Sequence, residues 1–196
     1  MDKPIIQSHG LGLYRFKPKY IIPFLEDISE ENIKELEVVY DIEPLEALVT
    51  LINREMVFAV VRDDKPLAIT GVDESGMMWS LFSKSLKRNW VRFARASPDL
   101  INFYHHFYEV LTCQVWSQND VIMQWLAHLD FEPDMFFSYG NVEMAQFVRC
   151  KTEQTNVYSL LSRPVMHWEA RKDTLEEVRD RIPAWTLTLF KDCTNG

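Results

Sequence analysis

The side chains best suited to chemistry lie scattered in this sequence, with two exceptions. The first is His105-His106, set between Tyr104 and Tyr108, a composition suited to proton transfer. Neighbours on a helix diverge by about 100°, so the two imidazoles cannot converge on one ligand. They are expected as a surface or half-buried pair. His128 and Asp130 could both ligate a metal, but no third ligand lies within reach, and no metal site is expected. Cys113, Cys150 and Cys193 are far apart, odd in number and free of any CxxC pair, which speaks against a zinc cage or a disulfide framework. Cys113, at the start of a predicted strand, reads as a small core residue rather than an activated nucleophile.

The second exception is a basic stripe. Lys84, Lys87, Arg88, Arg92 and Arg95 fall within twelve residues, and no acid occurs between Glu74 and Asp99. Helical spacing puts Lys84, Arg88, Arg92 and Arg95 on one face, with Leu86, Trp90 and Phe93 opposite. That face either meets an anionic partner (another protein, a nucleotide phosphate, nucleic acid) or is a solvated helix surface.

Around these groups the chain has ordinary globular proportions. It holds 196 residues, 47% of them hydrophobic, enough for a substantial core. With 29 acidic and 21 basic side chains its formal charge is −8, which disfavours non-specific nucleic-acid binding. The cysteine usage fits a reducing compartment, and the N-terminal residues lack the apolar run of a signal peptide. The longest unbroken apolar run, Met56 to Val61, is too short to cross a bilayer.

The elements follow from periodicity and punctuation. An extended arm occupies the first twenty residues. Ser29 is placed to cap a helix with stripe Ile33, Leu36, Val39 and Tyr40, Asn32 standing at the capping-box position. Pro44 opens a second helix. Met56 to Val61, Leu67 to Val72 and Met77 to Phe82 read as a three-stranded meander, turned at Asp63-Asp64-Lys65-Pro66 and at Asp73-Glu74-Ser75-Gly76. Asp73 and Glu74 are expected as solvated turn acids. The basic helix follows, and Ser97-Pro98-Asp99 is expected to start a separate helix carrying Leu100, Phe103, Tyr104, Phe107 and Leu111. Cys113 to Trp116 is a short strand, Asn119 or Gln118 caps the next helix, and Met135 to Tyr139 with Met144 to Val148 form a hairpin across Gly140-Asn141. After Cys150 the sequence turns polar. Thr174 to Glu177 is a capping box for a short helix, and Trp185 to Phe190 reads as a last strand. The expected division is one domain over 1–150 and a C-terminal extension over 151–196 packed on it.

This order of elements resembles the acyl-CoA N-acyltransferase (GNAT) fold, an α+β architecture in which a mixed sheet is flanked by helices. The sharper resemblance lies in the later helix. Family members carry Asn, a small residue, an aliphatic, a Leu-Tyr pair and a closing Leu-Gly-Phe. Here Asn119 is followed in step by Ile122, Met123, Trp125, Leu126, Leu129, Asp130 and Phe131. The departures bear on function. The family's cofactor loop uses small residues so that backbone N–H groups can approach a pyrophosphate, whereas Ser83-Lys84-Ser85-Leu86-Lys87-Arg88 contains no glycine. Leu86 takes a glycine's place and is expected to close the cradle. Leu126 stands where the family often has a tyrosine to protonate the departing thiolate. The strand Met77 to Phe82 lacks the carboxylate that many members use on the amine. More narrowly, residues 24 to 135 look like the small GNAT-like internal virion proteins of short-tailed phages, on Ile42-Glu43-Pro44, the strand Pro66 to Gly71, the charged helix after Ser83 and the Asn119 helix.

The resemblance implies a non-catalytic interaction protein on a GNAT scaffold, serving phage assembly or infection in the host cytoplasm or the virion. It would need no cofactor, and its partner, a phage or host protein, would meet Lys84, Arg88, Arg92 and Arg95. The first alternative is an active N-acyltransferase holding acetyl-CoA through Ser83, Ser85, Lys87, Arg88 and Asn119. The second is an inhibitor of a host protein. No catalytic residue is assigned.

Overall fold

The computed structural model describes residues 3–52 and 56–151. The expected extension over 151–196, with its capping box, last strand and Cys193, lies outside the described residues but for Lys151. A hairpin of β1 (Ile6–Ser8) and β2 (Leu11–Arg15) comes first. A 3-10 turn (Pro18–Tyr20) then leads into three short helices. These are α1 (Ile21–Leu25), α2 (Glu30–Glu35), which widens into a π-helical turn over Leu36–Tyr40, and α3 (Pro44–Ile52). The meander is β3 (Met56–Arg62), β4 (Lys65–Val72) and β5 (Met77–Phe82). After it come α4 (Leu86–Tyr104), β6 (Val110–Trp116), α5 (Asp120–His128), β7 (Glu132–Tyr139) and β8 (Val142–Cys150).

The strands form one sheet in the order β1-β2-β3-β4-β5-β6-β8-β7. Among the described residues only β5 and β6 run parallel. Its two faces bury separate cores. One packs Leu86, Phe93, Ile101 and Tyr104 of α4 with Trp125 and Leu126 of α5. The other packs Phe24, Leu36, Leu48 and Leu51 from α1 to α3. Burial on both faces explains why β3 and β4 read as continuous apolar runs rather than alternating ones. The turns obey local chemistry. Asp63 and Asp64 both have positive φ, the two-residue hairpin geometry whose twist matches the strands, and Gly140 supplies the positive φ at the β7–β8 turn.

Three expectations are corrected. Ser97-Pro98 does not start a new helix, because α4 runs unbroken through Pro98. Pro98 costs the helix one backbone hydrogen bond. Phe93, Leu100, Ile101 and Tyr104 on either side nonetheless share one core, which holds the rod together. Ser97 staples the site: its buried hydroxyl donates to the Phe93 carbonyl at 2.6 Å and accepts from the Trp125 indole at 3.1 Å. The helix also ends earlier than its stripe suggests. Phe107 is exposed beyond it, and Leu111 is a fully buried residue of β6. Because β6 starts at Val110, Cys113 sits in mid-strand rather than at its beginning.

Candidate functional site

Positions that could carry chemistry converge where β5 and β6 part. The two strands pair only at Met77↔Thr112 and Met78↔Cys113. Beyond that register they diverge and leave a cavity of about 120 Å³, closed by α2, α3 and α5. Glu35, Tyr40, Trp79, Cys113, Gln114 and Trp125 contribute to its wall. Sequence reasoning missed Glu35, which reads as one more polar residue of a surface helix. Its carboxylate accepts from the Trp116 N–H at 3.4 Å and from Asn119 Nδ2 at 3.3 Å. Burial raises its proton affinity, more than these hydrogen bonds lower it. Cys113 is pushed up to about 12 by burial and then by the nearby Glu35 charge, so its thiol is not an activated nucleophile. Burial likewise raises Tyr40.

The loop after β5 is a different environment. Every backbone N–H from Ser83 to Lys87 has an acceptor inside the chain. Ser83 donates to the Leu67 carbonyl, Lys84 to the Asp27 carbonyl at 2.6 Å, and Ser85 to Asp27 Oδ2 at 3.1 Å. Leu86 and Lys87 donate to the carbonyls of Ser83 and Lys84. One residue earlier the same segment takes the edge of β5 that faces away from β4. Phe82 donates its N–H to Asn32 Oδ1 at 2.6 Å, and its carbonyl accepts from the Ser29 N–H. Ser29 caps α2 by accepting from the Asn32 N–H, as expected. Lys84 pairs with Glu30 at 3.6 Å, and Lys87 with Glu31 at 2.7 Å. Asp27 and the start of α2 thus fill the place where an anion would meet this helix start, and they bring three carboxylates to it.

A diphosphate cradle needs unpaired backbone N–H donors and no competing negative charge; the backbone over Ser83 to Lys87 offers neither, so it does not fit that part of coenzyme A. The expected cause needs correcting. Leu86 does not close the loop with its side chain, which turns into the core beside Phe93. Asp27 closes it. Ser83 is buried with its Oγ unpartnered, and Asn119 is not drawn to the loop. Instead it caps α5, accepting from the Ile122 N–H, and reaches Glu35. Of the stripe, Arg88, Arg92 and Arg95 are exposed and carry no ion pair among the described residues, whereas Lys84 is already paired.

The tyrosine position is equally plain. Leu126 is fully buried and has no proton to give. The end of its helix matches the resemblance in backbone detail. Asp130, at the glycine step, has φ +59°, Phe131 donates its N–H to the Leu126 carbonyl, and Asp130 donates to Ala127. That is the Schellman pattern, with Phe131 and Leu126 in one core.

The remaining candidates separate. Asp73 is not a solvated acid. It is buried, and its Oδ1 accepts from the N–H and hydroxyl of Ser75 and from the Met77 N–H, pinning the β4–β5 turn. Gly76 completes that turn at φ +85°, where a Cβ would meet the Val110 carbonyl at 2.4 Å. His105 turns inward, Nδ1 at 3.0 Å from the Tyr108 carbonyl, while His106 faces solvent beside the Asn102 carbonyl. Burial lowers the proton affinity of His105. The pair does not converge.

No protein-family model and no curated protein matches the sequence. Solved structures do. An acetyltransferase of the GNAT family from Bacillus anthracis superposes with a TM-score of 0.58 at 10% identity, covering 74% of this chain and 97% of that one. The α-N-protein acetyltransferase of ribosomal protein L7/L12, solved with coenzyme A, gives 0.54 at 7% identity, covering 75% and 96%. Identity this low speaks for architecture alone. With the mixed eight-stranded sheet and its flanking helices, the likeness establishes that this chain has the GNAT fold.

Proposed function

We propose that this chain is a GNAT-fold protein that works by binding another protein rather than by transferring an acyl group, and that it needs no cofactor. The observation that carries the reading is the capture of the Ser85 and Lys84 N–H groups by Asp27, which, with the internal bonds of Leu86 and Lys87, leaves the loop Ser83 to Lys87 without a free backbone N–H for a diphosphate. The leucine at position 126 supports it, since a hydrocarbon cannot protonate a departing thiolate. The likeness of residues 24 to 135 to internal virion proteins of short-tailed phages extends the reading to particle assembly or infection, in the host cytoplasm or the virion. The surface offered to the partner is Arg88, Arg92 and Arg95, with Lys84 at its paired end.

A second reading is favoured by one observation, the cavity beside Glu35. An active N-acyltransferase would draw acetyl-CoA to Ser83, Ser85, Lys87, Arg88 and Asn119, and for that Asp27 must leave Ser85. A host-directed inhibitor would use the same basic face and differ only in its partner.

The test reverses Arg88 and Arg92 together to Glu and measures incorporation into sedimenting phage particles, with circular dichroism as the control of fold. Exposed charges of this kind affect stability little, so the expected result is an intact fold and lost incorporation. Unchanged incorporation would make the stripe a solvated helix face. Binding that falls steeply with salt would point instead to nucleic acid.

A further inference from the structure

Two exposed helix faces, one on each side of the sheet, are opposite in charge and alike in build. The outer face of α4 carries Arg88, Arg92 and Arg95, all exposed and none in an ion pair among the described residues. Four and three residues apart, these cations stand side by side and repel one another. Val91 sits among them, three residues after Arg88 and four before Arg95, and is 63% exposed. On the other side of the sheet, Leu45 and Val49 lie one turn apart on α3 and are 53% and 43% exposed. Glu46 stands beside them and Glu43 just before the helix, both exposed and without an ion pair among the described residues. On the neighbouring α1, Ile22 is 63% exposed.

A single exposed aliphatic residue is ordinary on a protein surface. Here the exposed aliphatics lie within unneutralised charge of one sign on each face, the apolar centre and polar rim of an interface. Charge decides what each face accepts. Two copies meeting through the same face would set like charges together, at a cost, whereas the basic face on the acidic one relieves both. The lengths also match. At about 1.5 Å per residue, Arg88 to Arg95 spans about 10 Å and the nine residues of α3 about 13 Å. One chain cannot join its own two faces, because α4 packs into the core on one side of the sheet and α3 into the core on the other.

We propose that copies of this chain associate head to tail, with Arg88, Val91, Arg92 and Arg95 of one copy on Leu45, Glu46 and Val49 of the next. Such a contact joins two different surfaces, so it repeats from copy to copy into a chain or a closed ring. The inference rests on the functional reading above, in which the basic stripe meets a protein, and it names that protein as a second copy.

Sedimentation velocity of the nuclease-treated full chain is the test. At low salt the weight-average sedimentation coefficient is expected to rise with concentration past that of a dimer, and to fall back to the monomer value as salt screens the charges. Arg88→Glu with Arg95→Glu, and separately Glu43→Arg with Glu46→Arg, should each leave a monomer with an unchanged circular dichroism spectrum, since exposed charges affect stability little. Mixed in equal amounts, the two variants should associate again, because their intact faces are complementary and so are their reversed ones. Val91→Ser and Leu45→Ser, which keep every charge, should each weaken association and leave its salt dependence in place. Four results would overturn the proposal: a wild type that is monomeric at every concentration, association that strengthens with salt, association undiminished in either reversed variant, or a mixture of the two that stays monomeric. A monomeric wild type whose Arg88→Glu, Arg92→Glu variant still fails to enter particles would leave the functional reading standing with another partner. Tight acetyl-CoA binding by a chain that assembles as expected would defeat that reading alone.

Discussion

The end of α5 and the start of α4 carry the two halves of the resemblance, and they have fared differently. At the end of α5 a glycine's conformation survives without the glycine. Asp130 holds φ +59° so that Phe131 can fold back on Leu126. At the start of α4 the N–H groups of Lys84 and Ser85 meet Asp27, and those of Leu86 and Lys87 meet the carbonyls of Ser83 and Lys84. The first geometry is demanded by the protein's own core, which any stable version of the fold must fill. Free donors at the second place are demanded only by a ligand. A position under packing constraint keeps its backbone even when the residue type drifts, while a position that only a ligand constrains is free to vary wherever that ligand is not bound.

If packing is what preserves α5, its central anchor should dominate stability. Trp125 is buried against Phe82, Phe93 and Trp90 and bonds Ser97. Trp125→Ala should cost about 3–5 kcal/mol in urea denaturation, and a neutral substitution would break the comparison at its stronger side. At the start of the same helix, Asn119→Ala removes a cap and the contact to Glu35, with an expected loss of about 1 kcal/mol. At the end, Asp130→Gly should raise stability by up to about 1 kcal/mol, since glycine adopts this backbone without strain. A loss there would mean that the Asp130 side chain, not its backbone, is what the site uses.

The smallest effect concerns pH. Burial raises Glu35 above its ordinary 4.5, so between that value and the folded-state value the native protein binds more protons than the unfolded chain. Stability from this group is therefore fully present below about pH 4.5 and is lost as pH rises through the folded-state value. Glu35→Gln should remove that slope. The variant should gain on the wild type with rising pH and show no such gain in acid, as read from urea midpoints across the range. A difference independent of pH would show that Glu35 is charged at no cost in the fold.

Most elements were legible because they rest on local signals. Ser29 and Asn119 were readable as caps, Pro44 as a helix opener and Asp63-Asp64 as a turn, and the structure uses each in that way. What stayed hidden was long-range. Pro98 looks like a boundary until the shared core of Phe93 and Ile101 is seen to span it. Asp73 looks solvated until three donors close around it. Glu35 lies on the polar side of a short helix by sequence, and only the parting of β5 and β6 turns it into a cavity wall. Asp27 carries no local mark either, because its partner Ser85 is 58 residues away.

The central proposal is that a loop whose backbone N–H groups from Ser83 to Lys87 are all spent within the chain holds no coenzyme A. Isothermal titration of the full protein with acetyl-CoA tests it most directly. The account predicts no dissociation constant tighter than about 1 mM, equivalent to roughly −4 kcal/mol, whereas a micromolar constant would contradict it.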